Sequence, residues 1–137
     1  MNNEIKAKEL TNVNLTKAIN QSLLNNTDEV YQELLAQLRK ASFLIPLQRN
    51  KIKVQNGEVE DNSTIQFGLI QHDGKLYLPV YTDWTNMENA SPVNDGLVLS
   101  GMYLYDLVYK NYEGILINNK TKGIIIDKKM LLELINN

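Results

Sequence analysis

The sequence predicts an α+β fold, with an antiparallel or mixed β-sheet of about five to seven strands flanked by an N-terminal helix pair and two later short helices. Apolar residues recur at helical spacing in two early segments, and short β-branched runs occupy the middle and the end of the chain. Asp73-Gly74 lies between two apolar runs and suits a tight hairpin turn, because both residues readily adopt positive φ.

Length and composition limit the class of protein. The chain has 137 residues, no cysteine and a formal net charge of -2. We expect one domain, 1–137, with residues 1–11 flexible and no second domain. The absence of cysteine excludes disulfides and is typical of a reducing cytoplasm. With no apolar run of membrane length and no basic excess, we expect a cytoplasmic protein with no nucleic acid and no membrane partner.

Two amphipathic helices are predicted to open the domain. Asn12 or Asn14 caps the first, which ends near Asn25-Asn26, and Thr27 caps the second. Their apolar stripes are Leu15, Ala18, Ile19 and Leu23 in the first helix, and Val30, Tyr31, Leu34, Leu35 and Leu38 in the second. The short connection predicts that the helices pack on each other and cover one face of the sheet.

Prolines influence the prediction for the strands. Phe43–Leu47 contains Pro46, which lacks the amide that a central strand donates, so we predict an edge or irregular strand there. The same argument applies to Pro79. From Gln48 to Ser63 the apolar pattern is weak, and both a ragged hairpin and a mobile loop remain open.

The central hairpin is predicted to have the arms Thr64–Gln71 and Lys75–Thr82. Thr82-Asp83 then caps a short helical turn that carries Trp84 and Met87. Asn86–Asp95 is rich in Asn, Ser and Pro and predicts a loop.

The C-terminal half is predicted as a strand, a helix, a second hairpin and a last helix. These segments are Gly96–Leu99, Met102–Tyr112, the pair Gly114–Ile117 and Gly123–Ile126, and a helix capped by Asp127. In the Met102–Tyr112 helix, Leu104, Leu107 and Val108 share the face predicted to be buried. Three tyrosines line an adjacent shoulder, beside the core and not at its centre.

We predict no catalytic residue, no metal ligand and no cofactor. His72 is the only histidine, and with Asp73 it could form a base and its orienting carboxylate. Adjacent residues in a tight turn point apart and into water, however, which favours a solvated histidine. The aromatic residues and the helix start beside them are the candidate ligand- or partner-binding residues: Tyr81, Thr82, Asp83, Trp84, Tyr105, Tyr109 and Tyr112. The alternative is that these rings only cover the margin of the core.

Several local strings resemble a known family. They are Phe43-Leu44-Ile45-Pro46, Leu78-Pro79-Val80-Tyr81-Thr82, the strand-to-helix step from Leu99 to Leu107, and Gly114-Ile115-Leu116-Ile117-Asn118. With the opening helix pair and the short last helix, they resemble the amino-terminal domain of the SseB-like proteins, a bacterial family named for enhanced serine sensitivity. Where relatives commonly have Asn-Pro, this chain has Asn118-Asn119. The resemblance implies a compact α+β domain without a settled activity, and it supplies no catalytic residues.

Three hypotheses of function follow. The leading one is a non-catalytic interaction or regulatory domain that binds a protein partner or forms a homodimer. The alternative is a sensor for a small molecule such as an amino acid or a metabolite, and the remote one is a hydrolase or transferase that uses neither cysteine nor metal.

Overall fold

The structure, a computed structural model, describes residues 6–53, 59–65, 68–91, 93, 95–120 and 123–136, without the side chains of 48–53 and 59–65. The fold is α+β, as predicted. The helices are α1 (Val13–Leu24), α2 (Asp28–Lys40), α3 (Trp84–Ala90), α4 (Gly101–Asn111) and α5 (Lys128–Ile135). The strands are β1 (Ser42–Lys53), β2 (Val59–Ile65), β3 (Ile70–His72), β4 (Lys75–Val80), β5 (Asp95–Ser100), β6 (Gly114–Ile117) and β7 (Ile124–Asp127). A short 3-10 helix, Ala7–Glu9, precedes α1.

The described strands form two sheets, where the sequence predicted one. The first has the order β2-β1-β5 and is antiparallel, and the second has the order β3-β4-β6-β7. In the second sheet β4 and β6 are parallel and the other pairs are antiparallel, so the sheet is mixed. Reciprocal hydrogen bonds of 2.8 Å and 3.1 Å between the backbones of Leu44 and Tyr81 connect the two sheets.

The predicted turn at Asp73-Gly74 is confirmed. Both residues have positive φ, 52° and 77°, and the turn connects β3 to β4 with His72 opposite Lys75. The arm before the turn is shorter than expected, because Thr64 and Ile65 belong to β2. β2 pairs with β1, so of the two alternatives left open for this stretch the described backbone forms the hairpin. Residues 54–58 lie outside the described part.

Pro46 lies in the central strand of its sheet, opposite Gly96 of β5, so the prediction of an edge or irregular strand is wrong. The amide of Leu44 donates to Tyr81, on the side of β1 away from β5. Amides two residues apart in a strand point in the same direction. The absent amide of Pro46 would therefore also point away from β5, and the ladder between β1 and β5 loses no hydrogen bond.

Pro79 is accommodated for a similar reason. It lies in β4, which has β3 on one side and β6 on the other, so this strand too is interior. The Asn118 amide donates to the Val80 carbonyl, which shows that Val80 faces β6 and that Pro79 faces the opposite side. On that side β3 extends only to Ile70, opposite Tyr77. The prediction of an edge strand is wrong, but the missing amide falls where β3 has ended.

The main core lies on the inner face of the sheets. Leu78, Ile115 and Ile126 are side by side in the strand register and fully buried, and α4 and α5 pack on β6 and β7 from this side. The helix pair α1 and α2 packs together as predicted, and the Thr27 hydroxyl caps α2 by accepting from the Val30 amide. Leu23, which we expected in the buried stripe of α1, is 50% exposed because it lies in the last turn of the helix.

A second, smaller cluster lies on the opposite, outer face. It consists of Leu10, Leu44, Tyr81 and Met87, with Trp84 partly buried beside them. The sequence predicted a flexible N-terminus up to residue 11, but Leu10 is 5% exposed and packs in this cluster. It also predicted a loop from Asn86 to Asp95, but α3 continues to Ala90 and buries Met87. The later helices therefore number three in the described residues, where we expected two.

Tyr105 lies at the centre of the main core, not on a shoulder beside it. Its side chain is fully buried, its hydroxyl donates a 2.6 Å hydrogen bond to the Leu38 carbonyl, and burial raises the pKa of the phenol. The ring packs edge-on against Phe43, with centroids 6.3 Å apart. Gly101, one helical turn earlier, makes room for it, because a Cβ there would lie 2.6 Å from the Tyr105 hydroxyl oxygen. The buried arc of α4 is therefore rotated toward Tyr105 and leaves Leu107 half-buried.

We predict that Tyr105→Phe lowers the free energy of unfolding by about 1 kcal/mol, because the buried Leu38 carbonyl loses its shorter hydrogen bond and keeps only the 3.3 Å one from the Ala41 amide. Tyr103→Phe on the same helix is the matched control, since Tyr103 is 61% exposed, and its effect should stay within about 0.5 kcal/mol. Urea denaturation measures both. Equal effects of the two substitutions would contradict the position assigned to Tyr105.

Candidate functional site

A buried polar junction lies where the parallel strands β4 and β6 end. Thr82 follows β4 and is fully buried, and Asn118 follows β6 and is 9% exposed. The Asn118 side chain accepts from the Thr82 amide through Oδ1 (3.1 Å) and donates to the Thr82 hydroxyl through Nδ2 (2.9 Å). The two strand ends are thereby held together by neutral hydrogen bonds that satisfy the buried groups.

Asn12 adds the first helix to this junction. It is the N-cap residue of α1, as predicted, but its side chain makes no capping hydrogen bond. Instead its Nδ2 donates to the Thr82 carbonyl (2.7 Å) and to the Ser42 carbonyl (2.9 Å). Asn12 therefore connects the beginnings of α1 and β1 to the end of β4. Asn12 also lines a pocket of about 340 Å³, which lies between the start of α1 and the end of α2.

Asn118 and Asn119 form the turn that follows β6. Asn118 has a φ of 54°, a left-handed conformation that asparagine tolerates better than most residues. The neighbouring Asn119 has its Oδ1 shielded from solvent without a hydrogen-bond partner among the described residues. Ligands of open α/β sheets often bind beyond the carboxyl ends of parallel strands. A ligand with a suitably placed donor could satisfy the Asn119 oxygen.

The four predicted site residues after β4 are brought together, but they are less accessible than expected. Tyr81 is 3% exposed, and Thr82 belongs to the buried junction. Asp83 caps α3 as predicted, because its carboxylate accepts from the Asn86 amide at 2.9 Å. Trp84 is partly buried, donates through Nε1 to Glu88 and carries the Lys8 ammonium 5.1 Å from its ring centroid. Trp84 is therefore the one ring of this corner that reaches the surface.

The three candidate tyrosines in α4 and at its C-cap lie apart from that corner and differ among themselves. Tyr105 belongs to the core and contributes no binding surface. Tyr109 and Tyr112 are half-buried at the margin of the core, and the Lys128 ammonium lies 5.8 Å from the Tyr109 ring centroid. Their role as partner-binding residues remains a prediction.

A partly exposed apolar surface lies on the outer face of the four-stranded sheet. Its members share that face in the strand register, and we call them the outer-face patch: Ile70, Tyr77, Pro79, Leu116 and Ile125. Tyr77 lies against Gly114, where a Cβ would come within 3.2 Å of its ring. Ile125 is 44% exposed, Ile70 and Leu116 are half-buried, and Tyr77 and Pro79 are buried. The main contacts of α3 are with β1 and the 3-10 helix, so most of this helix covers a different part of the outer face.

Charged and polar side chains lie beside the outer-face patch. Lys75 and Glu113 form an ion pair of 3.6 Å, and the His72 ring packs edge-on against Tyr77 with centroids 6.4 Å apart. The side chain of His72 is 64% exposed, as expected for a solvated turn histidine. It contacts Asp73 at 3.4 Å, however, so the expectation that the two side chains point apart is wrong. An apolar centre with a polar rim is the usual composition of a protein-binding surface.

Sequence reasoning missed the outer-face patch and the junction. The signal for the patch was present in the alternation of β6 and β7, where every second residue faces away from the main core. The signal for Asn118 was an asparagine directly after a β-branched strand, which is a common place for a left-handed residue. Tertiary pairing with Thr82, 36 residues earlier, left no local signal.

Within the described ranges, no three histidine, aspartate or glutamate side chains converge in a way that could hold a metal ion. The helices of the same ranges include none that is long and apolar enough to cross a bilayer.

Comparison with protein families gives a match over most of the chain. Residues 15–130 match the SseB protein N-terminal domain, in agreement with the resemblance of the sequence to the SseB-like proteins. No curated protein and no solved structure matches the chain. Because the match covers most of the chain, from the first turn of α1 into α5, the chain belongs to the SseB family and contains its N-terminal domain.

Proposed function

We propose that this domain is a non-catalytic protein-binding domain and that the outer-face patch contacts the partner. The observation that carries the proposal is the exposure of apolar side chains on an ordered sheet face, with Ile125 44% exposed and Leu116 half-buried beside it. The strands that present them are fixed by an inner face whose residues are buried or, at Ile124, partly buried in the main core. A rigid apolar surface binds a partner without a large loss of conformational entropy.

The side chains around the patch also support a protein partner. Lys75 and Glu113 provide both signs of charge at one end of the patch, and Asp127 lies in the same register row as Tyr77. Such groups contribute more to orientation and specificity than to affinity. Tyr81 lies on the same side of β4 as Tyr77 and leads to Trp84, so a large partner could extend toward that ring. The proposal keeps the expectation of a bacterial cytoplasmic location.

The test is affinity capture with the tagged full chain from a lysate of the source cells, followed by identification of the retained protein. We expect a partner that is retained in a fixed stoichiometry by the wild type and lost with Ile125→Asp, because a charge would be buried unpaired at the contact. Leu132→Asp is the matched control, since Leu132 on α5 is 41% exposed and lies outside the patch.

Retention of the partner by Ile125→Asp, or an equal loss with Leu132→Asp, would contradict this assignment of the surface. A second copy of the chain is one possible partner. Light scattering of the wild type would then show a dimer that Ile125→Asp converts to a monomer.

A small-molecule sensor is the second candidate, and the Asn118-Asn119 turn favours it. The shielded Oδ1 of Asn119 has no partner among the described residues, and the turn follows the carboxyl end of a parallel strand. An unsatisfied buried acceptor costs about 1–3 kcal/mol, which a ligand that donates a hydrogen bond could recover.

Thermal-shift measurements against a panel of amino acids and small metabolites test this second candidate. A true ligand at a hundred times its dissociation constant adds about 2.7 kcal/mol to the stability of the folded state. We expect that increase to be lost in Asn119→Ala and kept in Asn111→Ala, because Asn111 lies on the exposed side of α4. No shift with any compound, or the same shift in both variants, would argue against the sensor.

A further inference from the structure

The outer edge of β7 is open for pairing. In the described sheet β7 is the last strand and has β6 as its one neighbour. The Asn118 amide faces β4, so by alternation Ile115 and Ile117 face β7, where they pair with Ile126 and Ile124. The backbone groups of Ile125 and the amide of Asp127 therefore point away from the sheet, as an edge to which another strand can add, while the Asp127 carbonyl belongs to the N-cap of α5.

Lysines flank this edge at both ends. Lys120 lies in the turn before β7, and Lys128 and Lys129 follow it directly; all three are exposed. Asp127 is the one acidic residue within β7, and its carboxylate is engaged in capping α5 through the Met130 amide at 2.9 Å. The edge therefore has a positive local charge although the whole chain carries a formal net charge of -2.

Two of these lysines occupy positions that folding alone disfavours. Lys128 and Lys129 form the first turn of α5, where the helix dipole disfavours positive charge. In α2 the charges follow the dipole, with Asp28 and Glu29 in the first turn and basic residues in the last. The Lys128 ammonium lies 5.8 Å from the Tyr109 ring, a contact at the distance limit of a cation–π interaction. Residues that break a local rule of this kind often serve a binding function.

We infer that β7 adds an extended acidic segment of a partner protein as a fifth strand of the sheet. The inference rests on the proposed protein-binding function and names the chemistry of the partner. The backbone groups of Ile125 and the amide of Asp127 would bind the added strand. The half-exposed Ile125 side chain would contact the residue opposite it, and the flanking lysines would select acidic side chains. A second copy of β7 fits poorly, because antiparallel pairing would bring the Lys128 end of one copy to the Lys120 end of the other.

The probe is a capped seven-residue peptide of alternating Glu and Val, compared with the matching peptide of alternating Lys and Val. Titration of the full chain, labelled with ¹⁵N, is followed by amide chemical shifts. We expect the largest shifts at Ile125 and Asp127 and about tenfold tighter binding of the acidic peptide, with a preference that decreases as salt is added.

The double variant Lys128→Glu with Lys129→Glu separates binding from stability. We expect it to weaken binding of the acidic peptide about tenfold and to leave the melting temperature equal or higher, because acidic residues suit the first turn of α5. Lys6→Glu with Lys17→Glu changes the net charge equally at exposed positions away from β7 and should leave binding unchanged.

Equal binding of the two peptides, shifts centred outside β7, or the same loss in both double variants would overturn the inference. The capture experiment tests the proposed function separately from strand addition. A partner that is captured by the wild type and lost with Ile125→Asp, while the acidic peptide does not bind, would keep the outer-face patch as a protein-binding surface and reject strand addition at β7.

Discussion

The hydrogen-bonded pair of Thr82 and Asn118 is the interaction on which the arrangement of the strands depends. Both side chains are buried, so each polar atom must find a partner inside the protein. The pair holds the carboxyl ends of β4 and β6 in register, and these are the two strands that run parallel. Asn12 extends the same network to α1 and β1 through the carbonyls of Thr82 and Ser42. The backbone bridge between Leu44 and Tyr81 lies one residue away and connects the two sheets.

Fixing the strands in this way gives the four-stranded sheet two different faces. The inner face is covered by α4 and α5 and holds the fully buried residues Leu78, Ile115 and Ile126. The outer face is covered near Tyr81 by α3 and the 3-10 helix, while Ile125 and Leu116 remain accessible farther along. The candidate binding surface is thus a consequence of unequal coverage, and its apolar residues follow from the alternation of side chains in a strand.

The sequence alone predicted those parts of the fold that depend on local chemistry. The Asp73-Gly74 turn, the caps at Thr27, Asp83 and Asp127, and the helix pair were all recognisable because each depends on residues within four positions of one another. The prolines misled the strand prediction, since Pro46 and Pro79 are harmless in interior strands when their missing amides face a side without a ladder partner. That condition depends on where β2 and β3 end, which no local pattern contains.

The candidate site was predicted less completely, because it too depends on contacts that no local pattern contains. The helical wheel placed Tyr105 near the core, but only the space above Gly101 and the Leu38 carbonyl, which accepts from the Tyr105 hydroxyl, decide that its ring enters the core. The Tyr81–Trp84 corner was correctly located as a strand end that caps a helix. Its burial follows from Leu10 and Leu44, which approach it from distant parts of the chain.

A double-mutant cycle on Thr82 and Asn118 tests the central claim most directly. Thr82→Val removes the hydroxyl with little change in shape, and Asn118→Gly removes the amide while permitting the positive φ. Urea denaturation of the wild type, both single variants and the double variant then gives the coupling free energy between the two side chains. If the junction joins β4 to β6 as described, the coupling should be about 1 kcal/mol or more. Additive effects, with a coupling below about 0.3 kcal/mol, would contradict it.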